Sequence, residues 1–454
     1  MSIFGLDGTE VRGLARALRP GDIDTDAARE VFARAAWSAI AEPGDGDAGA
    51  LVGALGAPAA LQALLDGRER PDAAGAAVAT ALDVEGPGTA VAGEALARWR
   101  PRLRSADVLI ALRQAARLGI RLVLPGDPQW PAGLDDLGAH APLALWLRGR
   151  PEALAALGDG IALVGARAAT GYGEHVAMEA SAGLVERGYA IVSGAAYGID
   201  GMAHRTALLS GGRTVAFLAG GVDRFYPAGH ERLLSRIVEL GAVLSEVPCG
   251  AAPTKWRFLQ RNRLIAAASL ATVVLEAGWR SGSLNTAGHA AQLGRPLGAV
   301  PGPVTSPASA GCHRLLREYD AVLVTNAAEM AELAPRAGTG SFGAGCSDAG
   351  SADAGSRDAG SVDAGSRDTG SFGAARPGAA RPAAGRPEAP PASPSPSRPA
   401  EQVRVLDALA VRSPRAAADV AARAGMSLAA VQATLGLLEI DDLARSTERG
   451  WVRR

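Results

Sequence analysis

Two consecutive turns rich in small residues have the composition of phosphate-binding loops. In each, a short apolar run, residues 161–164 or 190–192, ends in glycine and is followed by a helix-compatible segment. Such a turn directs unpaired backbone N–H groups and the positive end of a helix at one point, which suits a phosphate. A Cβ would block close approach of the backbone, and an arginine adds a bidentate partner for the anion. The pattern predicts phosphate contacts from Gly165, Arg167, Ser193, Gly194 and Gly198.

A basic and aromatic stretch, residues 255–263, has the composition of a groove for single-stranded nucleic acid. It reads KWRFLQRNR, so four cations alternate with two aromatic side chains just before an apolar helical segment. Arginines can follow the phosphates while an aromatic face accepts a stacked base. An amphipathic helix start with its aromatic side chains in the core would have the same composition, so the stretch alone leaves both interpretations open. Beside the glycine turns it favours nucleic acid, and it adds Lys255, Arg261, Asn262 and Arg263 to the candidate surface.

Neither glycine turn carries the signature of a nucleotide cofactor site. Both lack the Gly-x-Gly-x-x-Gly dinucleotide fingerprint, and the only lysine, Lys255, is outside any Gly-x-x-x-x-Gly-Lys-Ser/Thr loop. Asp200 and His204 are spaced to form a base and its orienting partner, although a helix cap and a satisfied histidine explain the spacing as well. His, Cys and acidic residues show no metal-ligand spacing. We therefore expect no cofactor and no metal.

The elements that must position these residues alternate between strand and helix across residues 120–333. Apolar runs predict strands at 161–164, 190–192, 214–218, 243–244, 272–275, 297–300 and 321–324. Helical periodicity predicts helices at 174–187, 201–209, 231–240, 257–267 and 283–293. Short apolar strands with intervening helices predict an α/β fold whose parallel sheet is covered on both faces. Ligands of such sheets bind at the carboxyl ends of the strands, where the small-residue turns would meet. This adds Gly220, Gly221, Tyr226, Ser281, Gly282 and Ser283 to the candidate surface.

Three further regions flank this core, which we bound at residues 119–335. Residues 1–118 read as a helical domain, in which 51–56 could be a helical hairpin that binds the DNA backbone or an ordinary alanine-rich corner. Residues 336–400 are rich in Gly, Ala, Ser and Pro, with a five-residue near-repeat from Asp348, and predict a disordered linker. Residues 401–454 show three helices and a hairpin, the order of a winged helix. Its third helix offers Gln432 and Thr434 but no arginine, which favours protein contacts or weak backbone binding over base readout.

The composition limits the class of protein. The chain has 454 residues, 48% of them hydrophobic, and a net charge of −1, so any surface for nucleic acid must be a local patch. Its three cysteines are odd in number and far apart, as expected in a reducing cytoplasm. No secretory signal and no apolar run of roughly 20 residues is visible, so we expect a cytoplasmic protein without membrane contact.

Taken together, the ordered motifs resemble the DprA/Smf family, the DNA-processing protein A family. The motifs are VGAR (164–167), SGAAYGID (193–200), GRTVA (212–216), GGVDRFYP (220–227), RNRLIA (261–266), EA (276–277), RSGS (280–283), TA (286–287) and VPG (300–302). The resemblance covers about residues 127–333 and implies an extended Rossmann-like domain that binds single-stranded DNA. It also implies a homodimer that helps to load the RecA recombinase during natural transformation, without catalytic turnover. The resemblance brings Arg232 and Thr286 into the candidate surface.

An enzymatic alternative comes from a related Rossmann-like fold, that of the phosphoribohydrolases that cleave nucleotides. Those enzymes resemble one another in a Pro-Gly-Gly-x-Gly-Thr segment followed by a glutamate. The comparable segment here reads SGSLNT (281–286), and Glu276 precedes it. The enzyme motif is therefore absent, and a binding protein is favoured over an enzyme.

Overall fold

The structure is a computed structural model that describes residues 4, 6–66, 89–334, 398–447 and 449–454. The predicted linker falls mainly on residues 335–397, outside the described residues. The described parts on either side of that stretch belong to one compact unit.

The amino-terminal region is helical, as predicted, and its described residues form six helices. They are α1 Gly8–Leu18, α2 Thr25–Ile40, α3 Gly46–Leu55, α4 Ala57–Asp66, α5 Thr89–Trp99 and α6 Ser105–Arg117. The first three begin at aspartates, Asp7, Asp24 and Asp45, whose carboxylates accept backbone N–H groups of the first turn. Between α3 and α4 the chain turns at Gly56, whose φ of 77° favours glycine.

A nine-stranded sheet follows, in the order β1-β2-β6-β5-β4-β3-β7-β8-β9. The strands are β1 Arg121–Val123, β2 Leu145–Gly149, β3 Gly160–Gly165, β4 Ala190–Ser193, β5 Thr214–Leu218, β6 Ala242–Ser245, β7 Ala271–Glu276, β8 Leu297–Ala299 and β9 Val322–Leu323. All pairs from β6 to β9 are parallel, whereas β2 is antiparallel to both β1 and β6. The predicted Rossmann-like α/β fold is therefore confirmed, with an antiparallel extension at one edge.

The described helices that cover the sheet lie near their predicted positions up to residue 292, whereas the two that follow were not predicted. They are α7 Gly171–Glu186, α8 Ile199–Leu209, α9 Glu231–Leu240, α10 Lys255–Ala267, α11 Ser283–Gln292, α12 Ala310–Glu318 and α13 Ala327–Glu332. Short 3-10 segments occur at Ala132–His140, Pro151–Asp159, Ala228–His230 and Pro307–Ser309.

Alternating strand residues divide the core between the two faces of the sheet. On one face, Ala162, Val192 and Val274 pack with α10, α11 and α12. On the other, Ile161 and Val273 pack with α7 and α8. Toward the β2 edge, the amino-terminal helices and α9 cover that second face. Their apolar side chains form one hydrophobic cluster with residues of β2, β5 and β6. The helical region thus shares its core with the sheet.

The carboxyl-terminal region has the predicted order of a winged helix. It comprises α14 Ala400–Ala408, α15 Ala417–Ala424, α16 Leu428–Ile440 and a hairpin of β10 Ala444–Thr447 and β11 Gly450–Arg453. Val405, Val420 and Leu435 centre a small core of its own. On α16, Thr434 is buried and donates to Ala430 O at 2.8 Å, so of the two polar side chains noted in this helix only Gln432 is exposed.

No single described helix is long and apolar enough to cross a membrane. Two pairs of helices joined at a sharp bend, α3 with α4 and α15 with α16, would be long and apolar enough if each pair were counted as one segment, by length and composition alone.

Candidate nucleic-acid cleft

A cleft opens at the carboxyl edge of the sheet, where the strand order reverses. Strand β3 lies between β4 and β7, so the connections that follow β3 and β7 leave in opposite directions. Such a switch point creates a crevice that α/β proteins use for ligands. The cleft has a volume of about 990 Å³ and is lined by the turns after β3 and β7, by Tyr226 and by the first turns of α10.

Cations and aromatic rings share the lining of this cleft. The cations are Arg167, Lys255, Arg261, Arg280 and Arg453, and the aromatic side chains are Tyr226, Phe258 and Trp279. The Arg167 guanidinium lies 4.8 Å from the centroid of the Phe258 ring, and the Tyr226 ring lies 5.6 Å from the same centroid. Tyr226 and Trp279 are 49% and 55% exposed, whereas Phe258 is half-buried between its neighbours. The exposed rings are therefore available for stacking.

Small polar residues form the wall at the start of α11. The Ser281 and Ser283 hydroxyls are 2.7 Å apart, and Thr286 is buried one turn further along. Asn262 donates to Gly282 O at 3.3 Å and to Asn285 Oδ1 at 3.1 Å, which fixes this loop against α10. Ser281, Gly282 and Ser283 were expected at this edge of the sheet, and the structure brings them together with Asn262, Asn285 and Thr286.

The turn after β4 is not the phosphate-binding loop that its glycines suggest. The N–H groups of Gly194 and Ala196 donate to Asp200 Oδ2 at 3.2 and 3.4 Å, so a carboxylate of the chain itself occupies the place expected for an anion. Gly194 is required for another reason, because a Cβ there would lie 1.6 Å from Arg261 Nη1. Ser193 is buried and donates to Leu163 O at 2.7 Å. These polar groups of the turn are hydrogen-bonded within the protein, and the turn lies beneath the cleft.

Burial shifts the pKa values of the two charged groups below the cleft. Burial raises the pKa of Asp200, and the nearby Arg261 guanidinium opposes that shift. Burial lowers the pKa of Arg261 to about 10, while Asp200 acts to raise it. Arg261 Nη1 also donates to Phe217 O at 2.7 Å. Arg261 is thus a cation at the floor of the cleft, tied to the sheet.

His204 is not the partner of Asp200. Its Nδ1 lies 2.7 Å from Thr214 Oγ1, which itself donates to Ile191 O, so the histidine is the donor in this hydrogen bond. Burial lowers the pKa of His204 to about 3, which keeps the ring neutral. The arrangement contradicts a base–orienter pair and fits a core histidine held through Nδ1, although its Nε2 is buried without a hydrogen-bond partner.

Other predicted site residues lie outside the cavity lining. Arg263 forms a bidentate ion pair with Glu246, at 2.9 and 2.8 Å, and donates to His140 O. Arg232 lies on the exposed side of α9. Gly220 and Gly221 are buried against the segment at 248–253, and Gly198, with a φ of 75°, passes close to Ala166 O. These glycines permit close backbone packing beneath the cleft.

The charged and aromatic lining residues that were not predicted for the site include Trp279, Arg280, Asp407 and Arg453. Trp279 and Arg280 directly precede the Ser281-Gly282-Ser283 segment, so their position after a predicted strand was a usable signal. Asp407 and Arg453 belong to the winged helix, and no local pattern places that region against the sheet. Within the described residues, no group of His, Cys, Asp and Glu could hold a metal ion.

Comparisons with known proteins agree with this architecture. Residues 121–335 match the family model of DNA recombination-mediator protein A, and residues 388–448 match that of the DprA winged helix domain. The DprA protein of Mycobacterium tuberculosis is 52% identical over 245 residues, which are 52% of this chain and 62% of that protein. The DNA processing protein DprA of Streptococcus pneumoniae is 40% identical over 200 residues, 44% of this chain and 69% of that protein.

A solved structure also aligns with the chain. The X-ray structure of DprA from Streptococcus pneumoniae superposes with a TM-score of 0.51 at 28% identity, covering 67% of this chain and 97% of that one. The matched part of this chain spans 62% of the length of the mycobacterial relative, somewhat less than two thirds.

Proposed function

Because the chain belongs to the DprA/Smf family of DNA-processing proteins, we propose that its cleft binds single-stranded DNA without catalysis. The bound strand is then transferred to the RecA recombinase during DNA uptake and natural transformation. The protein acts in the cytoplasm as a homodimer.

The observation that carries this proposal is the shared lining of the cleft. Arg167, Lys255 and Arg280 are exposed cations at its rim, and Tyr226 and Trp279 present exposed rings beside them. Cations that follow phosphates and rings that accept bases are the two components of single-strand binding sites. Duplex DNA would offer the phosphates but not the base faces, because its bases are already paired and stacked.

The lining supports binding rather than chemistry. Among the described residues that line the cleft, the carboxylates are Asp200 and Asp407. Asp200 accepts backbone N–H groups below the surface. Glu276, the glutamate nearest to the serine loop in sequence, is 2% exposed and accepts from Thr170 N at 2.9 Å. These contacts give Asp200 and Glu276 structural roles.

A gel-shift titration with single-stranded and duplex oligonucleotides of equal length tests the binding proposal. We expect single strands to bind at least about tenfold more tightly, a difference of ~1.4 kcal/mol, since each stacked base adds free energy that the duplex cannot supply. Equal affinity for the two forms would contradict the proposal. Affinity should fall linearly with the logarithm of salt concentration.

Two further measurements test the transfer of the strand to RecA and the proposal that the protein binds without catalysis. Light scattering should report faster RecA filament assembly on strands bound by this protein than on bare strands under the same conditions, and an unchanged rate would contradict transfer to RecA. Release of free base from nucleoside monophosphates would contradict a purely binding role.

A further inference from the structure

The winged helix contributes two side chains of opposite charge to the cleft. Asp407 on α14 and Arg453 on β11 both lie in its lining. A region separate in sequence therefore closes one side of the proposed DNA site. A cation there would favour DNA, whereas a carboxylate would oppose it.

Asp407 lies at the amino end of α10. Its Oδ2 accepts the N–H of Trp256 at 3.4 Å, and Trp256 is the second residue of that helix. The first N–H groups of a helix have no partner within it, and they attract anions together with the positive helix end. Lys255, the first residue of α10, is exposed and also lines the cleft. The carboxylate of Asp407 thus uses a donor that a DNA phosphate would otherwise attract.

Three neighbouring contacts dock the winged helix in this position. The Arg404 guanidinium lies 5.2 Å from the centroid of the Trp256 ring and donates to Ala424 O at 2.8 Å. A Cβ on Gly425 would lie 2.2 Å from Cγ of Glu42, so the backbone of the winged helix approaches the amino-terminal region closely. Arg104 and Asp419 form an exposed ion pair at 3.5 Å. Docking therefore uses the helical region and α10 together.

Glu42 connects these regions electrostatically. Burial alone would raise its pKa, but the guanidinium groups of Arg257 and Arg102 lower it to about 2, with a further contribution from Arg404. The carboxylate therefore stays charged at neutral pH. It remains an anchor for the arginine of the winged helix.

We propose that the docked winged helix is an acidic plug in the cleft, in which Asp407 competes with a DNA phosphate for the Trp256 N–H. The inference rests on the proposed function, because it concerns regulation of the same site. Single-stranded DNA binds fully only when Asp407 leaves this donor. The measured affinity is accordingly reduced by the fraction of molecules in which the plug is closed.

Substitution Asp407→Asn in the full-length chain tests the plug. The amide can still accept the Trp256 N–H, so docking is retained, but a neutral acceptor competes less well than a carboxylate with a charged phosphate for that donor. We expect about fivefold tighter binding of single-stranded DNA, the order of one exposed ionic contact. Unchanged or weaker binding, with an unchanged melting temperature, would overturn the plug.

Asp441→Asn is the matched control. Asp441 is an exposed carboxylate of the winged helix that follows α16 and is outside the cavity lining. Its substitution makes the same change in net charge and should leave affinity and salt slope unaltered. An equal gain from both variants would show a general charge effect and would overturn the plug.

Hydrogen exchange gives an independent measurement on the unaltered protein. Saturating single-stranded DNA should speed exchange of the α14 amides if the plug is displaced, and undiminished protection of those amides would overturn displacement. If neither the wild type nor Asp407→Asn binds single strands, the proposed function itself fails. If the wild type binds and Asp407→Asn binds equally well, only the plug fails.

Discussion

Arginines occur both on the buried face of α10 and at the rim of the cleft, but those of α10 are buried and those of the rim are exposed to solvent. Arg257 and Arg263 are 8% and 3% exposed, and each forms a bidentate contact with a glutamate of another segment. Arg167 and Arg280, on loops after β3 and β7, are exposed at the rim. In sequence, all four are arginines close to glycines or aromatic residues.

The difference shows that burial and an available carboxylate decide what an arginine does. A buried guanidinium needs a charged partner, because desolvation without one costs several kcal/mol. A cation bound in this way has few donors left for a phosphate. Only exposed cations release counterions from DNA when they bind it, and only these should influence the salt dependence of affinity.

The largest expected effect is on stability, from Arg263→Ala. The substitution leaves Glu246 in a half-buried position without its bidentate partner. We expect the free energy of unfolding to fall by about 3 kcal/mol, as when one member of a buried ion pair is removed. Chemical denaturation measures this change. Single-strand affinity of the folded variant should be unchanged.

The double variant Arg263→Ala with Glu246→Gln is the control for this prediction. Neutralising the unpaired carboxylate should restore part of the lost stability, because a buried amide costs less to desolvate than a charge. A strong loss of DNA affinity with little loss of stability would place Arg263 in the DNA surface and would remove the contrast between the two groups of arginines.

The sequence predicts the parallel strands and their helices well, since each is a short apolar run followed by a periodic segment. Helix α9 has the predicted bounds of 231–240. Strands β1 and β2 were not predicted, because β1 has only three residues and β2 joins the sheet through antiparallel pairing with β6, more than 90 residues away. Local periodicity contains no information on such distant pairing.

For the candidate site, the sequence identifies the loops but not the hydrogen-bond and ion-pair partners of their residues. It places Gly165, Arg167 and Ser281 at one edge because parallel strands share a carboxyl edge. It does not reveal that Asp200 uses the N–H groups of the turn after β4, or that Glu42 and Glu246 pair with arginines of α10. The Glu42 contact joins residues 215 positions apart and the Glu246 contact residues 17 positions apart, so helical spacing does not specify them. The Asp200 contacts span only four to six positions, but they depend on the conformation of the turn.

A smaller effect, on affinity alone, is expected from Tyr226→Ala. The ring is half exposed and its contact with Phe258 is at the cleft surface, so its removal should leave the melting temperature nearly unchanged. Single-strand affinity should fall by roughly 1–3 kcal/mol, the contribution of one stacked base. Tyr319→Ala is the control, since Tyr319 is also a partly exposed tyrosine but lies outside the cavity lining. Equal losses from the two variants would contradict stacking in the cleft.

The smallest expected effect separates an arginine of the rim from one on the surface beyond it. Arg167 lines the cleft, whereas Arg232 is exposed on α9 and outside the lining. If Arg167 contacts one phosphate, Arg167→Ala should make the log–log salt slope shallower by roughly 0.7 for single strands. Its guanidinium also contacts the Phe258 ring, so the melting temperature must be measured in parallel to exclude a loss of packing. Arg232→Ala removes the same charge and should leave the slope unchanged if DNA contacts only the cleft. A shallower slope for Arg232→Ala would extend the DNA path onto α9, whereas an unchanged slope for Arg167→Ala would show that its guanidinium, like those of Arg257 and Arg263, serves the protein rather than the DNA.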